Sequence, residues 1–293
     1  MQLPPDDNPR APDGFSYSAY GTLDENRFFY GNSKMHAARA RDNRDVVIVL
    51  LSDGVTGVNA VEALQLVASG VALAIDRNHA LPVLQFLRHD KFTFGVFPLV
   101  GSYSTLPWFN YMEEALEFMC QILEGVAFLH DHRVAHRDLF TSNFLTSRRN
   151  GRVDPEVVHE ANQLVRWRYY IIDFEWAVHF SPDSDPAECT VIGPPSPWSL
   201  YARPSPPEMR SNLAYCPFKA DVWQLGSTFL RCFRHLEGIP EIVNLLQLMR
   251  ADHPGTRPTA RNAVERLNSL RGELPSSILR QPIEENDEED DAQ

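Results

Sequence analysis

The stretch HRDLFTSN at residues 136–143, followed by IIDF at residues 171–174, decides the fold of this chain. Within these stretches, Asp138, Asn143 and Asp173 combine two carboxylates and one amide in a fixed order. Transfer of a phosphoryl group needs one carboxylate facing the accepting hydroxyl. It also needs an amide oxygen and a second carboxylate that hold Mg²⁺ against the phosphates. We therefore take all three as candidate catalytic residues, with Asn143 and Asp173 as the metal ligands.

Length and composition bound the class of protein. The chain has 293 residues, of which 43 % are hydrophobic, enough to bury the core of one large domain or two lobes. Residues 1–14 are rich in Pro and Asp and show no secretory signal, and no apolar run approaches the roughly 18 residues of a membrane span. Without a C-x-x-C pair, the cysteines predict reduced thiols in an intracellular protein, cytoplasmic or nuclear. They are Cys120, Cys189, Cys216 and Cys232.

The net charge of −12 is unevenly distributed, with seven acidic residues in the block at residues 284–291. Such a block predicts a solvated, disordered tail, with a docking or autoinhibitory role as the alternative. An acidic chain is a poor candidate for binding nucleic acid, and nothing indicates a membrane partner. The partners we expect are a nucleotide, whose charge Mg²⁺ would offset, and a protein substrate or partner that the sequence does not identify.

Hydrophobic periodicity predicts a sheet first and helices afterwards. The predicted strands cover residues 27–31, 35–39, 46–51, 81–87 and 92–100, with one helix over 58–69. The later helices cover residues 113–129, 218–232, 240–249 and 259–270. This order predicts an α+β fold with a five-stranded antiparallel sheet lobe and a helical lobe.

Three further motifs accompany the opening stretch, namely PPE at residues 206–208, DVWQLG at 221–226 and RPT at 257–259. With HRDLFTSN and IIDF, they make the chain resemble the eukaryotic protein kinases over about residues 25–272, most closely the kinase-like families expanded in fungi. The resemblance implies a bilobal fold, with an N-lobe at about 25–97, a C-lobe at about 101–272, an irregular segment at 1–24 and the acidic tail at 273–293. It also implies that Glu208 pairs with Arg257, and that Asp221 bonds the backbone of the catalytic loop.

The resemblance further implies ATP and Mg²⁺ as ligands. The connection between the lobes would lie near residues 98–100, where the Pro98 carbonyl and the Val100 N–H could contact adenine. Pro98 has no N–H but keeps its carbonyl, so both contacts remain possible. Asp138 would be the base, with Asn143 and Asp173 holding the metal.

Departures from the family pattern concern the cations around the phosphates. Val49 aligns with the lysine that contacts the α- and β-phosphates, and Glu62 is the candidate for the helix glutamate that would orient such a lysine. Phe140 stands where serine/threonine kinases carry a lysine near the γ-phosphate. Lys34 lies near the expected phosphate loop, but strand alternation from Met35 predicts that it points away from the cleft. We therefore expect weak or absent phosphotransfer to protein.

Two other functions remain open. The sequence IDFEWA at residues 172–177 resembles a stretch of choline and ethanolamine kinases, in which Glu175 would be native chemistry. The chain would then phosphorylate a small alcohol. Alternatively, it is a pseudokinase scaffold whose surface matters more than its cleft. The PPE, DVWQLG and RPT motifs favour the protein-kinase branch.

Overall fold

The computed structural model describes residues 34–42, 44–100, 109, 111–147, 167–233, 236 and 238–283. The strands are β1 (Met35–Arg39), β2 (Asp45–Ser52), β3 (Gln85–His89), β4 (Phe92–Pro98), β5 (Val134–Ala135), β6 (Phe144–Thr146), β7 (Tyr169–Ile171), β8 (Val178–His179), β9 (Val191–Ile192) and β10 (Ala214–Tyr215). The helices are α1 (Val58–Val67), α2 (Met112–Asp131), α3 (Pro217–Cys232), α4 (Pro240–Met249), α5 (Ala260–Glu273) and α6 (Ser276–Leu279). The architecture is α+β in two lobes, as predicted: a sheet lobe (residues 35–98) and a helical lobe (residues 111–283).

The sheet lobe is antiparallel, with the described strands in the order β1-β2-β4-β3. The β-branched sequence of β2 suits a central strand, and Val49 lies opposite Met35 on one side and Gly95 on the other. A Cβ on Gly95 would lie 2.7 Å from the Phe97 ring and 2.9 Å from the Leu51 side chain, so a larger residue here would force these side chains to shift. The strand predicted at residues 27–31 lies outside the described residues.

Helix α1 covers one face of this sheet and begins at a glycine. Gly57 has φ of 77°, and a Cβ on it would lie 1.9 Å from the Leu51 carbonyl oxygen, so only glycine fits. The helix buries Ala60, Ala63 and Leu64. This close approach at the end of β2 fixes the direction in which α1 leaves the sheet.

The helical lobe is built around α2, which is apolar on almost every side. A helix with that pattern must be buried, and the ring of Phe118 at its centre packs edge-on against Tyr169 and Phe229, with ring centroids 5.0 and 6.1 Å away. Helices α3, α4 and α5 complete the core. In the part of the chain that the structure describes, no helix is long and apolar enough to cross a membrane.

Two predicted boundaries differ from the structure by four residues or more. The strand predicted at residues 81–87 begins at Gln85, because the preceding backbone bonds elsewhere: Leu81 N–H donates to the Ile171 carbonyl and Val83 N–H to the Ala68 carbonyl. The tail predicted from residue 273 begins too early. The Met112 N–H donates to the Gln281 carbonyl at 3.0 Å, so the chain returns to the start of α2. Apolar side chains after residue 273 pack on the core, namely Leu274, Ile278, Leu279 and Ile283.

Candidate active site

Helix α3 holds the HRDLFTSN loop through one buried carboxylate. The Asp221 oxygens accept from the backbone N–H groups of His136 and Arg137, both at 2.8 Å, and Asp221 is fully buried. Arg137 has φ of 69°, a left-handed conformation that a non-glycine residue keeps only when its surroundings fix it. The predicted contact between Asp221 and the loop backbone is confirmed.

Two further residues of α3 fix the next part of the loop. Gln224 accepts from the Leu139 N–H at 3.1 Å and donates to the Arg137 carbonyl at 3.1 Å. Thr228 donates to the Leu139 carbonyl at 3.0 Å. The sequence analysis did not single out these two side chains, although both lie one or two turns after Asp221 on the same helix. The backbone of the loop is therefore held from one side by a single rigid helix.

Asp138 and Asn143 form a hydrogen-bonded pair at the end of this loop. Asn143 Nδ2 donates to the Asp138 carbonyl at 2.8 Å and to Asp138 Oδ2 at 2.7 Å. Both amide hydrogens are thereby used, which leaves Asn143 Oδ1 as an oxygen available to a cation. Asp138 is almost fully buried, and its Oδ1 has no hydrogen-bond partner among the described residues. The Asp138 side chain thus keeps one oxygen able to accept a proton.

Asp173 is brought to the same place by backbone contacts on both sides of it. The Ile172 N–H donates to the Asn143 carbonyl at 3.0 Å, and the Phe174 ring packs against His136 with centroids 4.9 Å apart. His136 Nε2 donates to the Ile172 carbonyl at 2.9 Å, so the histidine lies under the Asp-Phe pair. Asp173 itself has φ of 63°, which aspartate tolerates better than most residues.

The surroundings of Asp173 make its ionised form less favourable than in water. The surrounding protein raises the pKa of its carboxyl above the ordinary value by desolvation, although the side chain still opens onto solvent in the cleft. The negative charges of Glu175 and Asp138 raise the pKa further, whereas His136 acts in the opposite direction. A carboxylate in such surroundings gains from a bound cation, because the cation offsets the neighbouring negative charges.

A cavity of about 620 Å³ lies between the two lobes, and Asn143 and Asp173 line it. Its sheet-lobe wall includes Val47 and Val49 on β2, and Phe97 lies further along. Residues 98–100, where the sequence predicts the connection between the lobes, also line the cavity. The Leu99 N–H between them is used, since it donates to the Asp45 carbonyl at 3.1 Å.

The structure corrects two predictions about charges in this cleft. Lys34 does not point away: its Nζ lies 2.7 Å from Glu175 Oε1, and both residues line the cavity. The hydrogen bond that Lys34 donates to Glu175 raises the pKa of Lys34, with a further contribution from the charge of Asp173. Lys34 precedes the first residue of β1, so strand alternation does not govern it. Glu62 lies off the buried face of α1 and does not line the cavity; its Oε2 contacts His179 Nε2 at 2.8 Å.

The resemblance also implied an ion pair between Glu208 and Arg257, and the structure confirms it. Arg257 Nη1 donates to Glu208 Oε1 at 2.5 Å and Nη2 to Oε2 at 2.8 Å, a two-pronged contact. The Arg257 side chain is completely buried, whereas that of Glu208 is 13 % exposed. The pair ties the segment before α3 to the segment before α5.

The family model of the protein kinase domain matches residues 109–239 of the chain. The matched stretch contains the HRDLFTSN loop, Asp173, Glu208 and Asp221, whose contacts are described above. The match and these contacts support the protein-kinase-like superfamily for this chain, and its two lobes are consistent with the bilobal α+β fold of that superfamily.

The donor set at the cleft fits Mg²⁺ bound together with phosphates. The described residues contain no group of three or more His, Cys, Asp or Glu side chains that could hold a metal ion. Mg²⁺ needs no such cage when a nucleotide is present, since it is usually bound by one or two carboxylates, substrate phosphates and water. Asp173 and Asn143 Oδ1 offer one carboxylate and one amide oxygen at the cleft.

Proposed function

We propose that this protein binds Mg-ATP between its lobes and transfers phosphate to protein hydroxyl groups weakly or not at all. The observation that carries the proposal is the constellation at the cleft. Asn143 donates both amide hydrogens to Asp138 and keeps its oxygen, and Asp173 lies beside them with a raised pKa. The cavity is within the size range of small-molecule sites, roughly 300–1,000 Å³.

Each residue has a distinct task in this proposal. Asn143 and Asp173 hold Mg²⁺, which when bound offsets charge on the phosphates and orients them. The Asp138 carboxylate accepts the proton of a hydroxyl group through Oδ1. Val47 provides an apolar wall for the adenine, and the Pro98 carbonyl and Val100 N–H are the hydrogen-bonding partners of the adenine. Val49 lies at the position beside the α- and β-phosphates.

Weak catalysis follows from the missing cations. Val49 brings no charge to the α- and β-phosphates, and Phe140 brings none to the γ-phosphate from the loop. One preorganised electrostatic donor contributes about 10²–10³ in rate, although the losses of cooperating groups do not simply add. Lys34 is a cation of the cleft, but Glu175 accepts its hydrogen bond and offsets its charge.

The test is the rise in melting temperature that Mg-ATP produces, measured for the wild-type protein and three variants. Asp173→Asn should abolish the rise because a metal ligand is lost, whereas Asp138→Asn should leave it nearly intact. Asp183→Asn is the matched control, since Asp183 is exposed and lies outside the cavity lining. An undiminished rise in Asp173→Asn would contradict the proposal.

Phosphorylation of a small alcohol is the second candidate function. The contact between Glu175 and Lys34 supports this candidate. Glu175 forms an ion pair with Lys34 at the cleft, so its charge has a partner there. The Glu208–Arg257 pair and the Asp221 contacts instead favour the protein-kinase branch. Turnover of choline-like alcohols, compared with turnover of Ser/Thr peptides by the same preparation, distinguishes the two. No turnover of either, with intact Mg-ATP binding, would support the scaffold.

A further inference from the structure

Arg203 reaches the catalytic loop from the segment between β9 and β10. Its Nε lies 3.3 Å from Asp138 Oδ1, the oxygen that has no hydrogen-bond partner among the described residues. Its Nη2 donates to Ser142 Oγ at 3.0 Å. The guanidinium carbon lies 5.2 Å from the centre of the Phe140 ring, which places the cation over the ring face.

These three contacts hold one cation at the point where the loop lacks its own. Phe140 is buried and apolar, so the loop offers Asp138 no positive charge two residues on. The Phe140 ring instead supports a guanidinium that comes from 63 residues further along the chain. Arg203 keeps about a third of its side-chain surface exposed, so its outer edge faces solvent beside Asp138.

We propose that Arg203 is the cation that contacts the γ-phosphate and so replaces, from another segment, the charge that Phe140 lacks. The inference rests on the proposed function, since it requires a nucleotide in the cleft. A guanidinium suits the task because its planar set of N–H donors matches the oxygens of a phosphate. The short distance between the Arg203 guanidinium and Asp138 Oδ1 also supports this role, because the accepting hydroxyl and the γ-phosphate must meet at that oxygen.

In the transfer step, the hydroxyl oxygen forms a bond to the γ-phosphorus while the bond from that phosphorus to the β–γ bridging oxygen breaks. The hydroxyl proton passes to Asp138, and ADP leaves with the electron pair of the broken bond. The Arg203 guanidinium stays charged throughout and interacts with the non-bridging γ-oxygens. Such a contact distinguishes ATP from ADP, because only ATP carries the γ-phosphate.

The experiment measures the dissociation constants of Mg-ATP and Mg-ADP by calorimetry for the wild-type protein and for Arg203→Ala. We expect Arg203→Ala to weaken ATP binding by about tenfold, the loss of one charge-assisted hydrogen bond, and to leave ADP binding unchanged. Arg210→Ala is the matched control. It removes the same charge from the same segment, at an exposed residue whose Nε donates to Ser205 Oγ. The control should change neither constant.

Two further variants separate charge from structure. Arg203→Lys should recover part of the preference for ATP, because the charge remains while the planar donor set is lost. Phe140→Leu should weaken ATP binding less than Arg203→Ala, since it removes the supporting ring and keeps the cation. Urea unfolding of each variant measures whether the fold is intact.

The following results would overturn either the inference about Arg203 or the proposed function. Equal losses for ATP and ADP in Arg203→Ala, or no loss for either, would overturn the inference while leaving Mg-ATP binding intact. Tighter ATP binding in Arg203→Ala would also overturn it. A wild-type protein that binds neither nucleotide would instead overturn the proposed function itself, and the inference with it.

Discussion

Replacing Glu208 with glutamine should destabilise the fold strongly, because it removes one partner of a buried ion pair. Arg257 uses all five of its N–H groups. Two go to the Glu208 oxygens, and the others to the backbone carbonyls of Ala251, Lys219 and Asp252. The guanidinium therefore has no alternative acceptor to turn to. Breaking a buried pair by removing one charge costs about 3–5 kcal/mol.

Glutamine keeps one acceptor oxygen but places an NH₂ group against an Arg257 nitrogen. We therefore expect the free energy of unfolding to fall by about 3 kcal/mol, the lower end of the range for a broken buried pair. With an m-value of roughly 1–3 kcal/mol per molar urea, the midpoint should fall by about 1 M or more. The assay is urea unfolding followed by circular dichroism. Glu265→Gln is the control, since Glu265 is an exposed residue of α5 and its replacement should change stability by less than about 0.5 kcal/mol.

A double-mutant cycle tests the physical reason. Arg257→Met alone leaves the mostly buried Glu208 carboxylate without its cation, whereas Glu208→Leu with Arg257→Met leaves no unpaired charge. The double variant should therefore lose less stability than the sum of its single changes. A loss for Glu208→Gln no larger than that for Glu265→Gln, or strictly additive single changes, would refute the reasoning.

Three other predictions concern the cleft and the loop. Val49→Lys should tighten Mg-ATP binding by up to about 1 kcal/mol, measured by calorimetry, because it adds a cation at the cavity wall; folded protein with unchanged affinity would contradict this. Asp173→Asn should raise the melting temperature of the nucleotide-free protein at pH 7. Because the pKa of Asp173 is raised in the folded state, the wild-type protein loses stability as pH rises through that pKa. The gain in melting temperature from Asp173→Asn should therefore vanish below the ordinary pKa of aspartate. An equal gain at pH 7 and below that pKa would argue against the electrostatic cause. Asp221→Asn should cost about 1–3 kcal/mol in urea unfolding. The His136 and Arg137 N–H groups donate to different oxygens of Asp221, and asparagine would replace one of those oxygens with an NH₂ donor. Unchanged stability would show that the loop does not depend on this contact.

The sequence predicts the fold well where local pattern and packing agree. Strand β1 and helix α4 have the predicted bounds, and the two-lobed α+β order follows from the change of hydrophobic period along the chain. The pattern failed at residues 81–83, which are apolar and strand-like, because the Leu81 and Val83 N–H groups donate to the carbonyls of Ile171 and Ala68. The hydrophobic pattern indicates that a segment is buried, but it does not indicate which backbone groups the segment will hydrogen-bond.

The part of the candidate site that could be predicted consists of residues that contact one another within a single motif. HRDLFTSN carries both members of the Asp138–Asn143 hydrogen bonds in a single stretch, so their closeness follows from the chain itself. Arg203 carries no local signal, because it meets Phe140 and Asp138 only after the segment between β9 and β10 folds back. Lys34 was misplaced for a similar reason, since its direction depends on Glu175 and not on the strand that follows it.

The central claim is that the cleft binds ATP through Mg²⁺ held by Asn143 and Asp173. The most direct measurement is a calorimetric titration of the wild-type protein with ATP, in Mg²⁺ and again in EDTA. The account predicts clear binding in Mg²⁺ and its loss in EDTA, because Asp173 alone would repel the phosphates. Equal affinity for ATP in the two buffers would contradict it.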